Sequence, residues 1–94
     1  DDAGLEEVAK FRNLKVLAMN DTKITDEGLK SVAQLQQLHT LAMCRTKITD
    51  ACLADIAKLK NLRKLLLYGA KISDEGAEEL RKALPECEIF GPRA

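Results

Sequence analysis

Apolar positions along this chain switch between two spacings, and the switch recurs. After Leu14 the run Leu17-x-Met19 skips every second residue, the spacing of a strand with one buried face, whereas Leu29, Val32, Ala33 and Leu35 fall on one helical stripe. The same change follows from Leu38 to Leu59 and again, with substitutions, from Leu62 onward. Each unit is therefore one strand and one helix. Helices are predicted near 2–11, 26–35, 50–59 and 74–83, and strands near 15–19, 39–43, 63–67 and 87–90. Asp26, Asp50 and Asp74, with Asp2 in the same register, open the helical stretches. There a carboxylate can accept from the unpaired amides of the first turn, so these residues are expected to cap. Glu6 with Lys10, and Glu78 with Lys82, are spaced to pair along exposed helix faces.

The units are copies of one another. Residues 14–37 and 38–61 are identical at 12 of 24 positions, and the third copy, 62–85, keeps Leu62, Leu65, Lys71, Ile72 and Asp74. Asp2 to Phe11 aligns with Asp26 to Leu35, so the chain enters partway through a repeat, and an opening Asp1-Asp2 without methionine fits a fragment or a processed form. Pro85 and Cys87 break the pattern around Ile89 and suggest a closing segment. The expected organisation is a single domain over 1–94: a half repeat at 2–13, full repeats at 14–37, 38–61 and 62–85, and a C-terminal segment at 86–94. A fixed period of this length is the signature of a solenoid.

Leu-x-x-Leu-x-Met-x-x-Thr-x-Ile, read at 14–24 and 38–48, resembles the leucine-rich repeat, with threonine where many members carry asparagine or cysteine. The continuation Ile-Thr-Asp-Glu-Gly-Leu at 24–29 resembles the bacterial branch of the ribonuclease-inhibitor-like superfamily. The resemblance covers Asp2 to Ile89. It implies an α/β fold, a right-handed solenoid with a parallel sheet on the concave side and helices on the convex side, and a protein-binding role. The third copy departs at Ala70, where Thr22 and Thr46 stand, and at Ala77, where Leu29 and Leu53 stand, so looser packing is expected there. Thr22 and Thr46 are expected to bond backbone groups between successive turns.

Charge and cysteine content narrow the function. Fifteen basic and fifteen acidic residues cancel, so no net field draws the chain to nucleic acid, and none is expected as a partner. The longest apolar run, Leu65-Leu66-Leu67, is too short to cross a bilayer. Three cysteines, Cys44, Cys52 and Cys87, read as small buried thiols rather than a disulfide framework, which leans weakly toward a reducing intracellular compartment. With one histidine and no C-x-x-C pair, no metal site or cofactor is expected. His39 and Cys44 lie five strand residues apart, about 16 Å, far beyond reach of a nucleophile–base contact. Lys23, Lys47 and Lys71 form a ladder about 5 Å per rung, expected to be neutralised by the neighbouring aspartates. Enzymatic activity is not expected.

The remaining surface is the open face of the sheet. If Leu17, Met19 and their equivalents point inward, then Val16, Ala18, Thr40, Ala42, Lys64, Leu66, Glu88 and Phe90 point outward. Ala18, Ala42, Leu66 and Phe90 make an apolar column beside Asn20, Cys44 and Tyr68, rimmed by Lys15, Arg45, Arg63 and Lys64. That composition suits the centre and rim of a protein interface; the plainer reading makes Phe90 a lid over the last rung with Leu66 beneath it. Two functions follow. One is a module that binds a protein partner through Val16, Ala18, Thr40, Ala42, Lys64, Leu66, Tyr68 and Phe90. The other is an assembly element whose edge strand 15–19 stacks on further repeats, on another domain or on a second copy.

Overall fold

A turn of 24 residues must carry a strand out and a helix back, and the computed structural model, which describes residues 1–93, shows how little regular structure that takes. The elements run α1 (Asp2–Val8), β1 (Val16–Ala18), α2 (Gly28–Val32), β2 (Thr40–Ala42), a 3-10 turn (Asp50–Cys52) leading into α3 (Leu53–Ile56), β3 (Lys64–Leu66), α4 (Asp74–Ala83) and β4 (Glu88–Phe90). The strands form one parallel sheet in the order β1-β2-β3-β4. Register is strict: Leu17, Leu41, Leu65 and Ile89 align as one row, and Ala18, Ala42, Leu66 and Phe90 as another. Successive helices pack side by side, α1 on α2, α2 on α3 and α3 on α4.

The middle helices are shorter than the apolar stripe predicts, five residues in α2 and four in α3. Beyond Val32 the chain continues as linked turns, with Leu35 N–H donating to Val32 and Leu38 N–H to Leu35. Val32, Leu35 and Leu38 are all buried. A three-residue apolar spacing serves such turns as well as an α-helix, so the stripe outlives the helix. Strands are likewise three residues long, although Lys15 and Met19 still bond across to β2. The exposed pairs also shift: Lys10 meets Glu7 at 3.2 Å, because α1 ends at Val8, and Arg81 meets Glu78 at 3.6 Å.

The core lies between sheet and helices. Leu29, Leu35, Leu38, Leu41, Met43, Ile48, Ile56, Leu65 and Leu67 are sealed from solvent. A buried leucine of this kind contributes about 1.5–3 kcal/mol relative to an exposed one. Ala77 is buried in place of the larger leucine. A cleft of about 230 Å³ lies between α3 and α4, lined by Leu53, Ala57, Leu80 and Ala83 among others. Gly28 and Gly76 allow the helices to approach closely, since a Cβ at Gly76 would stand 2.6 Å from Asp50 Oδ1. Cys52 occupies the same station and is fully buried.

Candidate functional site

The open face of the sheet is built by alternation. Leu41 and Leu65 are buried, while Lys64 is exposed and Thr40 and Leu66 are half-buried. The apolar column is continuous because the strands are in register, which sets Ala18 beside Ala42, Ala42 beside Leu66 and Leu66 beside Phe90. Burial along it is uneven. Ala18 is exposed, Ala42 is buried, and Leu66, Tyr68 and Phe90 are half-buried. Val16 stands 60% exposed.

Phe90 is no lid. Its carbonyl accepts from Leu67 N–H at 2.7 Å, so it belongs to a neighbouring strand and lies beside Leu66. Ala42 and Cys44 offer little surface: both are buried, and Cys44 N–H is held by Asn20 Oδ1 at 2.8 Å. The rim also differs from expectation. Arg45 is engaged by Asp21, with Nε to Oδ1 at 2.6 Å and a second nitrogen to Oδ2 at 2.9 Å. That pair holds the Asp21 carboxyl below its ordinary range.

The aspartate column does something the sequence reading missed. Helix capping falls to the preceding residue: Asp1 accepts from Gly4 N–H, Thr49 from Ala51 N–H and Ser73 from Gly76 N–H. The aspartates instead reach forward one repeat, each carboxylate taking a backbone N–H and a hydroxyl. Asp2 holds Thr25 at 2.9 and 2.5 Å, Asp26 holds Thr49 at 2.7 and 2.6 Å, and Asp50 holds Ser73 at 2.9 and 2.5 Å. Asp74 meets Arg93. The hydroxyls of Thr25 and Ser73 are the chief cause that lowers the pKa values of Asp2 and Asp50 below the ordinary carboxylate value. The signal was present as a hydroxyl residue before Asp26, Asp50 and Asp74. Thr22 and Thr46 act within their own turn, donating to Met19 O and Met43 O at 2.8 and 2.9 Å; the between-turn bond is Asn20's.

A left-handed station recurs three residues after β1, β2 and β3: Asp21 at φ 60°, Arg45 at φ 57° and Gly69 at φ 75°. Only the last carries the residue that this conformation favours.

Chemistry of a reactive kind is sparse. Cys44 and Cys52 are buried and Cys87 half-buried, all three are free thiols, and burial pushes Cys52 up to about 12, far from a thiolate at neutral pH. No cluster of three potential metal ligands occurs among the described residues. His39 is exposed, apart from the buried Cys44. A cleft of about 380 Å³ between α4 and the C-terminal segment is lined by Asp74, Glu78, Arg81 and Arg93 together with Ala77, Gly91 and Pro92, a set without a thiol, hydroxyl or imidazole. Among the described residues, no helix is long and apolar enough to cross a membrane.

With the architecture in view, comparison with known proteins gives a consistent class. The family profile described as Leucine Rich repeat matches residues 12–33 and 58–80. A solved leucine-rich repeat protein of Leptospira interrogans is similar over 92% of this chain, with a TM-score of 0.72 and 29% identity. The chain spans about a fifth of that protein, 21% of its length. No curated protein matches. The chain is a leucine-rich repeat protein, and its rungs form a repeat solenoid. Repeats of this kind generally mediate protein–protein interaction and serve as scaffolds.

Proposed function

We propose that this chain is a protein-binding module that engages its partner through the open, concave face of the sheet and catalyses no reaction. The observation that supports this reading most is the in-register column ending in Leu66 and Phe90, half-exposed beside Tyr68. Aliphatic and aromatic side chains grouped on an open surface, with charged residues around them, are the usual anchors of an interface. Replacing Leu66 and Tyr68 together by glutamate should abolish capture of the partner from a native cell extract, because losing a central anchor costs more than about 2 kcal/mol of binding. Glutamate at Gln34 and Lys58, both exposed on the helix side, should leave capture intact. Loss of capture from the helix-side changes alone would overturn the reading.

A second reading, assembly through strand 15–19, is supported by the exposure of Phe11 (67%) and Val16 (60%) at that end of the sheet. A molecular mass that rises with concentration and falls back on Val16→Lys would favour it.

A further inference from the structure

The zero net charge of this chain conceals a separation. The helical arcs, residues 1–11, 26–35, 50–59 and 74–83, carry twelve acidic residues against five basic ones, a net of −7. The strands and the loops that flank them, residues 12–25, 36–49, 60–73 and 84–93, carry ten basic residues against three acidic ones, a net of +7. The fold turns this sequence pattern into two opposed faces, because helices occupy one side of every rung and strands the other.

Pairing deepens the contrast. On the helix side Lys10, Lys30, Lys58 and Arg81 each meet a carboxylate three residues away. Around the sheet, Lys15, Lys23, Lys47, Arg63, Lys64 and Lys71 are exposed, and among the described residues none of them forms an ion pair. Lys23, Lys47 and Lys71 recur at one station beyond the C-terminal ends of the strands, rung after rung. Among the described residues the aspartates expected to neutralise them form no ion pair with them: Asp2, Asp26 and Asp50 keep their charge while holding Thr25, Thr49 and Ser73, and Asp74 meets Arg93. Lys15, Arg63 and Lys64 lie at or beside the opposite ends. Positive charge therefore brackets the apolar column on both sides.

We infer that the partner of the open face is an acidic protein segment, with apolar side chains that sit on Leu66, Tyr68 and Phe90 and carboxylates that meet the lysines on either side. The inference rests on the open-face reading and specifies the chemistry of its partner. Charge complementarity of this form raises the association rate and excludes basic competitors, while the apolar centre supplies anchoring. An apolar column in the middle of the patch favours a protein segment over a polynucleotide, which stacks bases on successive aromatic platforms.

The test uses a fluorescent synthetic peptide alternating glutamate with leucine and phenylalanine, a second peptide with lysine for every glutamate, and a single-stranded oligonucleotide of matched charge. Fluorescence anisotropy should show saturable binding of the acidic peptide only, weakening as salt is raised from low to physiological ionic strength. The triple variant Lys23→Glu, Lys47→Glu, Lys71→Glu should lose at least about tenfold in affinity, while Lys30→Glu on the helix side should bind as wild type; circular dichroism checks that both stay folded. Tighter binding of the oligonucleotide, equal binding of the lysine peptide, or affinity unchanged in the triple variant would overturn the proposal. So would salt-sensitive self-association that the acidic peptide fails to displace, because the acidic helix face of a second copy would then be the occupant. If Leu66→Glu with Tyr68→Glu abolishes capture of the natural partner and the triple variant does not, binding by the open face stands and its acidic preference falls.

Discussion

Leu17 and Leu41 occupy the same station of consecutive, half-identical repeats, yet Leu41 is sealed and Leu17 only half-buried. Leu14 and Leu38 differ in the same way, and Phe11 stands 67% exposed where Leu35 is fully covered. The side chains are alike. What differs is that β2 has a strand on each side, whereas β1 pairs only with β2. Burial in a solenoid belongs to the stack and not to the unit, which is why a single copy of the repeat could not hold its own core.

The largest expected effect tests that difference directly. Leu41→Ala should destabilise by about 2–5 kcal/mol, and Leu17→Ala by clearly less, because its truncation leaves a smaller void in a site already half open. Urea denaturation of the two variants decides. Equal losses would mean that the first rung is as tightly packed as the second.

The junctions come next. Asp50→Ala should cost about 1 kcal/mol by freeing the amide and hydroxyl of Ser73, and Asp50→Asn should keep part of that, since an amide retains only one acceptor oxygen. Acid titration of stability gives an independent measure. Asp2 and Asp50 have folded pKa values below the ordinary value of 3.8, so their contribution is present above that pH and is lost as pH falls through the lower folded value. In the Asp50→Ala variant the slope of stability against pH below 3.8 should be shallower. An unchanged slope would show that the clasp contributes nothing.

Smallest, and of either sign according to the replacement, is the left-handed station. Arg45→Gly should melt at or above the wild-type temperature, because relief of the φ 57° backbone offsets the loss of an exposed ion pair, while Arg45→Ala should melt lower by losing the pair and keeping the strain. Thermal melts at low and high salt separate the two contributions. A lower melting point for the glycine variant would make the Asp21 pair the stronger term.

The α/β solenoid, the number of strands and helices and the register of the apolar column were legible in the sequence. The span of α4 was too, because its run of 74–83 has no competing turn. The lengths of α2 and α3 were not legible, since Val32, Leu35 and Leu38 satisfy the helical spacing while the chain is already turning. Asp2, Asp26 and Asp50 were recognised as a column and assigned the wrong partner. A carboxylate near a helix start can serve its own helix or the next rung, and the choice depends on how far apart the rungs sit. Of the surface residues, Leu66, Tyr68 and Phe90 are half-buried, whereas Ala42 and Cys44 are buried, a difference that strand alternation alone does not encode.

By itself, then, the sequence determined a periodic chain in which each unit makes a strand and a helix, since apolar spacing is a local property that needs no neighbour. The tertiary structure decided which unit is buried, which carboxylate clasps which hydroxyl, and on which side an apparently neutral chain is positive. Those properties depend on distances between residues about 24 positions apart, which only stacking the turns at a strand spacing of about 4.8 Å brings into contact.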